Sequence, residues 1–350
     1  MRNRKNVLAV LLSGICLVTL SGCVDQHPEE HAGDVWNEDT EAVWEETDAE
    51  KVADEPVKTA DASELREQLF GDVDETEREA VALAKKKVKV QKTPRIVATS
   101  PAVAQICDKL DLDLVGVCST TVSVIPKRYE GLTEVGTAMA PDMEIMASLD
   151  PDWILSPSSL QTDLQPKYEV LDTDWTFLNL KSVTGMYQSI QELGEIFDRE
   201  DEADAMINDF LEFYEDYQNE NNGKDHPDVL ILMGLPGSYI IATENSYVGN
   251  LVEMAGGKNV YAGSDEEFLT VNTEDMKKKE PDIILRAAHA LPDQVLEMFR
   301  EDFETNDIWK HFKAVQEGRV YDLSYEYFGM SANFDYPEAL AELQEDLYGE

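Results

Sequence analysis

Two side chains able to ligate iron, Met139 and His289, stand beside two copies of one sequence element. Glu144-Ile-Met-Ala-Ser-Leu-Asp-Pro-Asp-Trp-Ile-Leu155 returns as Glu274-Asp-Met-Lys-Lys-Lys-Glu-Pro-Asp-Ile-Ile-Leu285, with Glu, Met, Pro, Asp, Ile and Leu at identical spacing. Met139 lies five residues before the first Glu and His289 four residues beyond Leu285, so each copy brings one potential ligand. A chain built from two related lobes would then present a thioether and a neutral imidazole across a cleft. That is the axial pair of a six-coordinate haem iron with no open position for oxygen chemistry, which suits carriage rather than catalysis.

Rival ligands exist on both sides. Methionine is more often core filling than ligand, and Met143, in Pro141-Asp-Met-Glu144, competes with Met139. Met146 and Met276 are equivalent in the duplicated element and are expected to pack. Of the five histidines, His27 and His31 lie in an acidic N-terminal stretch, His226 at a lobe junction, and His311 in the amphipathic Trp309-Lys-His-Phe312. His289 instead follows the apolar run Ile283-Ile-Leu285, and in open parallel sheets ligands bind beyond the carboxyl ends of strands. Ser100-Pro101-Ala102 has the order of an N-cap followed by proline in a first helical turn, so an anion could rest on free N–H groups there.

The elements that would position these residues are those of an α/β fold. Arg95-Ile-Val-Ala-Thr99, residues 112–118, Trp153-Ile-Leu155 and Thr176-Phe-Leu-Asn-Leu180 read as strands. A second series runs through Val229-Leu-Ile-Leu-Met233, Tyr239-Ile-Ile-Ala-Thr243, Ile283-Ile-Leu285 and Arg319-Val-Tyr-Asp322. Strands alternating with helical stretches mark parallel sheets. A shorter echo, Ile96-Val-Ala-Thr99 against Ile241-Ala-Thr243, points the same way. Between the two series, Ala203, Met206, Ile207, Phe210, Leu211, Tyr214 and Tyr217 fall on one face of a helix. The expected divisions are 1–22 signal, 23–92 acidic tether, 93–182 N-terminal lobe, 183–222 interlobe helical region and 223–350 C-terminal lobe. One stiff backbone helix between lobes permits little hinge closure.

The N-terminus has Arg2, Arg4 and Lys5, an uncharged run through Leu20, then Leu20-Ser-Gly-Cys23. This is the order of a secretory signal, with an apolar part too short to span a bilayer. Removing residues 1–22 takes away three basic and no acidic side chains, moving the formal charge from −43 to −46. Residues 24–84 hold 21 Asp and Glu against four Lys and Arg, which reads as a disordered tether closed by a solvated hinge at Lys85-Lys-Lys-Val-Lys89. Such acidity argues against a nucleic-acid partner. Cys107 and Cys118 sit in apolar stretches and are expected to be buried free thiols. No Gly-x-Ser-x-Gly, Walker-A or His-Glu-x-x-His motif is present.

Several stretches together resemble the helical-backbone class (class III) of ABC-importer substrate-binding proteins, and within it the haem-receptor lipoproteins. They are Arg95-Ile-Val-Ala-Thr99, Pro126-Lys-Arg-Tyr-Glu-Gly131, Val135-Gly136 with Met139 and Pro141-Asp-Met-Glu144, Leu230-Ile-Leu-Met-Gly234, Ile284-Leu-Arg-Ala-Ala-His289 and Asn306-Asp-Ile-Trp-Lys-His-Phe312. The resemblance implies two α/β lobes joined by one long backbone helix, with the ligand in the interlobe cleft. It implies haem as transported ligand, Met139 and His289 as axial ligands, and propionate contacts at Pro101, Ala102, Thr120 and Thr121. Where the family has Tyr this chain has Thr121, and one residue is inserted before Pro126; Lys127 and Arg128 could compensate. Glu144 and Glu274 match the glutamates that dock on permease arginines, and the tetrapeptide ending at Cys23 resembles the lipobox whose Cys is lipidated. The implied partners are an ABC permease with its ATPase, a surface haem-donor protein and the membrane through a lipid anchor, with the receptor a monomer outside the cytoplasm. The alternatives are a receptor for a ferric siderophore, which would use several cleft arginines such as Arg286 and Arg128, or for cobalamin; an extracytoplasmic enzyme is remoter.

Overall fold

A computed structural model describes residues 62–71, 75–91, 93–121 and 123–349. The signal segment, Cys23 and the acidic stretch up to residue 61 lie outside the described residues.

Two helices precede the first strand, α1 (Ala62–Phe70) and α2 (Glu75–Gln91). They correct the expectation of a disordered tether reaching residue 92. The charge count conceals an apolar stripe: Leu65, Phe70, Val81, Ala84 and Val88 are buried, the last three at helical spacing. Nor is the lysine run a solvated hinge. Lys85 pairs with Glu200 and Lys87 with Asp174, while Arg66 reaches Asp204 at 2.6 Å.

The N-terminal lobe follows as β1 (Ile96–Ala98), α3 (Pro101–Lys109), β2 (Leu114–Val117), β3 (Thr133–Glu134), the hairpin β4 (Gly136–Thr137) and β5 (Ala140–Pro141), α4 (Met143–Ser148), β6 (Trp153–Pro157), α5 (Gln161–Tyr168) and β7 (Asp174–Leu178). Its sheet runs β3-β2-β1-β6-β7 with every pairing parallel. Helices α6 (Val183–Phe197) and α7 (Glu200–Asn221) then lead to the second lobe. At 22 residues α7 is roughly 33 Å long.

The C-terminal lobe contains β8 (Asp228–Leu235), β9 (Ser238–Ala242), α8 (Tyr247–Met254), β10 (Lys258–Asn259), β11 (Phe268–Leu269), α9 (Thr273–Lys279), β12 (Ile283–Ala288), α10 (Pro292–Thr305), α11 (Lys313–Gln316), β13 (Val320–Asp322) and α12 (Tyr336–Tyr348). Strand order is β11-β9-β8-β12-β13. The duplicated element occupies the same place in both lobes: α4 leads into β6, between β1 and β7, as α9 leads into β12, between β8 and β13. Met146 and Met276 are both fully buried. The shorter echo does not map this way. Ile241 lies on β9, antiparallel to β8, because Pro236-Gly237 makes a two-residue turn with Gly237 at φ 83° and leaves no length for a parallel crossover.

The lobes share one core along the backbone helices. Tyr187 of α6 stacks on Phe210 of α7 at 4.5 Å, and its hydroxyl bonds that of Tyr336 on α12 at 3.1 Å. Tyr217 donates to the Leu340 carbonyl at 3.0 Å, and the Val183 N–H to Asn250 on α8 at 3.0 Å. Both free thiols, Cys107 and Cys118, are buried, and desolvation pushes each up to about 12.

Candidate functional site

The chemistry-bearing residues of the N-terminal lobe leave the carboxyl ends of neighbouring parallel strands. After β1, Ser100 takes extended backbone and its hydroxyl accepts from the Val103 N–H, so α3 starts with Pro101 and Ala102 in its first turn. After β2 comes the loop with Thr120 and Thr121; the Thr120 hydroxyl accepts from the Ser123 N–H at 3.2 Å. The Gln105 side chain of α3 donates to the Val124 carbonyl at 3.5 Å. The Ser119 N–H donates to the Gly136 carbonyl at 2.8 Å. Pro101, Ala102, Thr120 and the β4–β5 hairpin therefore form one bonded cluster of loops.

Met139 is at the tip of that hairpin, which pairs Gly136 with Pro141 and Thr137 with Ala140. Gly136 has φ 91°, and a Cβ there would come within 2.8 Å of the Ala140 carbonyl, so glycine is required for the hairpin to close. Sequence reasoning missed this hairpin; Gly136 and Pro141 bracketing four residues were the available signal. Met139 is 72% exposed. Its rival Met143 opens α4, is partly buried and packs against the core of the lobe.

In the C-terminal lobe β12 carries the chain directly to His289, whose N–H donates to the Gly234 carbonyl of β8 at 2.9 Å. The imidazole is half-buried and desolvation lowers its pKa, which keeps it neutral and able to donate a lone pair. Among the described residues no group of three or more His, Cys, Asp and Glu is placed to hold a metal ion. A porphyrin iron supplies four nitrogens of its own and asks the protein for only two axial ligands.

The arginines are engaged elsewhere. Arg286 is buried, donates to Asp322 at 2.7 Å and lies 4.7 Å over the Phe303 ring. Arg128 donates to Asp111 and Asp113 at 2.8 and 2.9 Å. Glu144 and Glu274 are exposed at matching helix starts, where Asp142 and Asn272 accept the capping bonds.

A family model described as "Periplasmic binding protein" matches residues 96–327. This chain belongs to the periplasmic binding protein family. The binding protein is 42% identical over 257 residues to the high-affinity heme uptake system protein IsdE of Staphylococcus aureus (strain Newman), covering 73% of this chain and 87% of that protein. It is similar to the crystal structure of S. aureus IsdE complexed with heme, at 42% identity and a TM-score of 0.68, and to that of an ABC transporter substrate-binding protein from Listeria monocytogenes EGD-e, at 46% and 0.70. Each structure is covered over 99% of its length and 73% of this chain. Both relatives are of a class that binds and hands over a substrate, so the protein is not an enzyme. It works outside the cytoplasm, and no described helix is long and apolar enough to cross a membrane. Helices α1 and α2 precede the family match.

Proposed function

We propose that this protein captures haem outside the cytoplasm and delivers it to an ABC importer for iron acquisition. The observation that carries the reading is the 42% identity, across essentially the whole family-matched body, with a protein crystallised with heme. In this reading the porphyrin lies between the lobes, with Met139 Sδ on one side of the iron and the neutral His289 imidazole on the other. The propionates rest on the start of α3 at Pro101 and Ala102 and on the loop at Thr120 and Thr121. Cys23 carries the lipid anchor. A surface haem-donor protein supplies the ligand, and the permease with its ATPase receives it.

A ferric siderophore would need free arginines, and both candidates, Arg286 and Arg128, are already paired with carboxylates. Titration of the apo protein with haemin, a ferric siderophore and cobalamin separates the readings. Haemin should produce a sharp low-spin Soret band while the others leave the protein unchanged; binding of siderophore or cobalamin without haemin would reject the proposal.

Glu144 and Glu274 act in docking, one on each lobe. Reversing either to Lys should leave haemin binding by the isolated protein intact and reduce haem import by cells at least about tenfold, since a charge pair turned repulsive costs more than about 1.4 kcal/mol. Unchanged import would remove the docking role.

A further inference from the structure

The connection from β12 to α10 contains a residue that breaks the local rules of folding. Leu291 has φ 48° and ψ 59°, in the left-handed region, and directly precedes Pro292. A residue before proline is pushed towards extended backbone, and left-handed backbone is strained for a side chain with a Cβ. The other non-glycine residues with positive φ among those described are Asp111, Asp150, Asp198 and Glu280. Each of these follows the end of a helix, where left-handed backbone is the ordinary way to stop it.

Leu291 instead sits at a helix start. Its carbonyl accepts from Gln294 and Val295 at 3.0 and 3.1 Å, which makes it the N-cap of α10, yet its side chain makes no capping bond. Ser100, Asp142, Ser182, Ser246 and Asn272 cap other helices in the expected way. The side chain does not stabilise the core either, being 53% exposed. A glycine or asparagine would suit the backbone better.

Its position supplies the reason for leucine. Leu291 is two residues from His289. Among the described residues the exposed large hydrophobics also include Val124, 78% exposed on the loop after β2, and Met139 on the hairpin after β3. All three occupy loops leaving the carboxyl ends of strands, the edge where ligands bind in such sheets.

We propose that Leu291 is a ligand-contacting residue that covers the His289 side of the bound porphyrin with apolar surface, at the expense of fold stability. This rests on the haem reading above. The test uses the full chain and three variants, measuring apo melting temperature and haemin affinity. Leu291→Gly and Leu291→Asn should melt higher than wild type and bind haemin about tenfold more weakly, the effect of losing the burial of roughly half a leucine side chain. Leu291→Met, which restores an apolar chain without relieving the backbone, should bind as wild type does and melt no higher. Glycine and asparagine variants that melt lower, or that bind haemin as tightly as wild type, would overturn the proposal; so would a methionine variant as weak as the asparagine one. Failure of the wild type itself to bind haemin would instead reject the haem reading, so the two failures are distinguishable.

Discussion

Replacement of His289 by alanine is expected to weaken haemin binding by more than about 100-fold and to remove the low-spin Soret band. In the proposed site the imidazole would be the stronger of the two donors, because it is neutral and desolvated and the backbone N–H of His289, donating to the Gly234 carbonyl, fixes the main chain just beyond β12. Loss of a partner that merely orients a ligating histidine costs roughly 10- to 100-fold in metal affinity, and loss of the histidine itself exceeds that. Met139→Ala should behave differently, keeping haem on His289 alone and shifting the spectrum to the high-spin form. Met143→Ala should match wild type, because that side chain is partly buried against the core of the lobe. A His289→Ala protein with wild-type affinity and spectrum would dismiss the imidazole; an unchanged spectrum in Met139→Ala would dismiss the sulfur.

Removal of α1 and α2 should lower the melting temperature of the folded body by about 5 °C without changing haemin affinity. The helices dock on the backbone helices, away from the strand ends. Leu65, Phe70, Val81 and Val88 are buried there, and each such side chain contributes about 1.5–3 kcal/mol before the entropy of ordering the helices is subtracted. A net remainder of about 2 kcal/mol corresponds to a shift of roughly 4–8 °C in a body of this size. The Gln188 side chain of α6 also donates to the Leu69 carbonyl at 3.0 Å, and Gln91 to Asp152 at 3.0 Å. A chain starting at residue 93 that melts with one starting at residue 62 would contradict this.

The same seam has a pH dependence. Burial, then the hydrogen bond from Glu77 on α2, raises the Glu192 carboxyl of α6 to about 9. The folded state thus holds a proton that the unfolded chain releases near 4.5. The stabilisation is complete at acid pH and is lost as pH rises through about 9. The difference in melting temperature between the longer and shorter chains should therefore be larger at pH 5.5 than at pH 9.5; the reverse trend would exclude the Glu77–Glu192 contact as its source.

Legibility in the sequence followed the strength of periodic signal. The duplicated element was readable because Pro151-Asp152 and Pro281-Asp282 mark the entry to equivalent buried strands, and the apolar run of β8 betrays a strand covered on both faces. Helices α1 and α2 were hidden because acidic and basic residues crowd their exposed faces, so net charge outweighed three- and four-residue apolar spacing. Strands of two residues, such as β3 and the β4–β5 pair, are set by tertiary hydrogen bonds and leave almost no pattern. At the site, residue types singled out Met139 and His289, whereas the exposure of Met139 at the hairpin tip and the partial burial of Met143 come from tertiary packing. The engagement of Arg286 and Arg128 depends on Asp322, Asp111 and Asp113 arriving from other turns of the chain.

A crystal structure of the haemin-loaded protein examines the central claim most directly. The iron should sit between the lobes, bonded on one side by Met139 Sδ and on the other by a ring nitrogen of His289. A porphyrin lodged elsewhere, or an iron held between the lobes by any other pair of side chains, would contradict it.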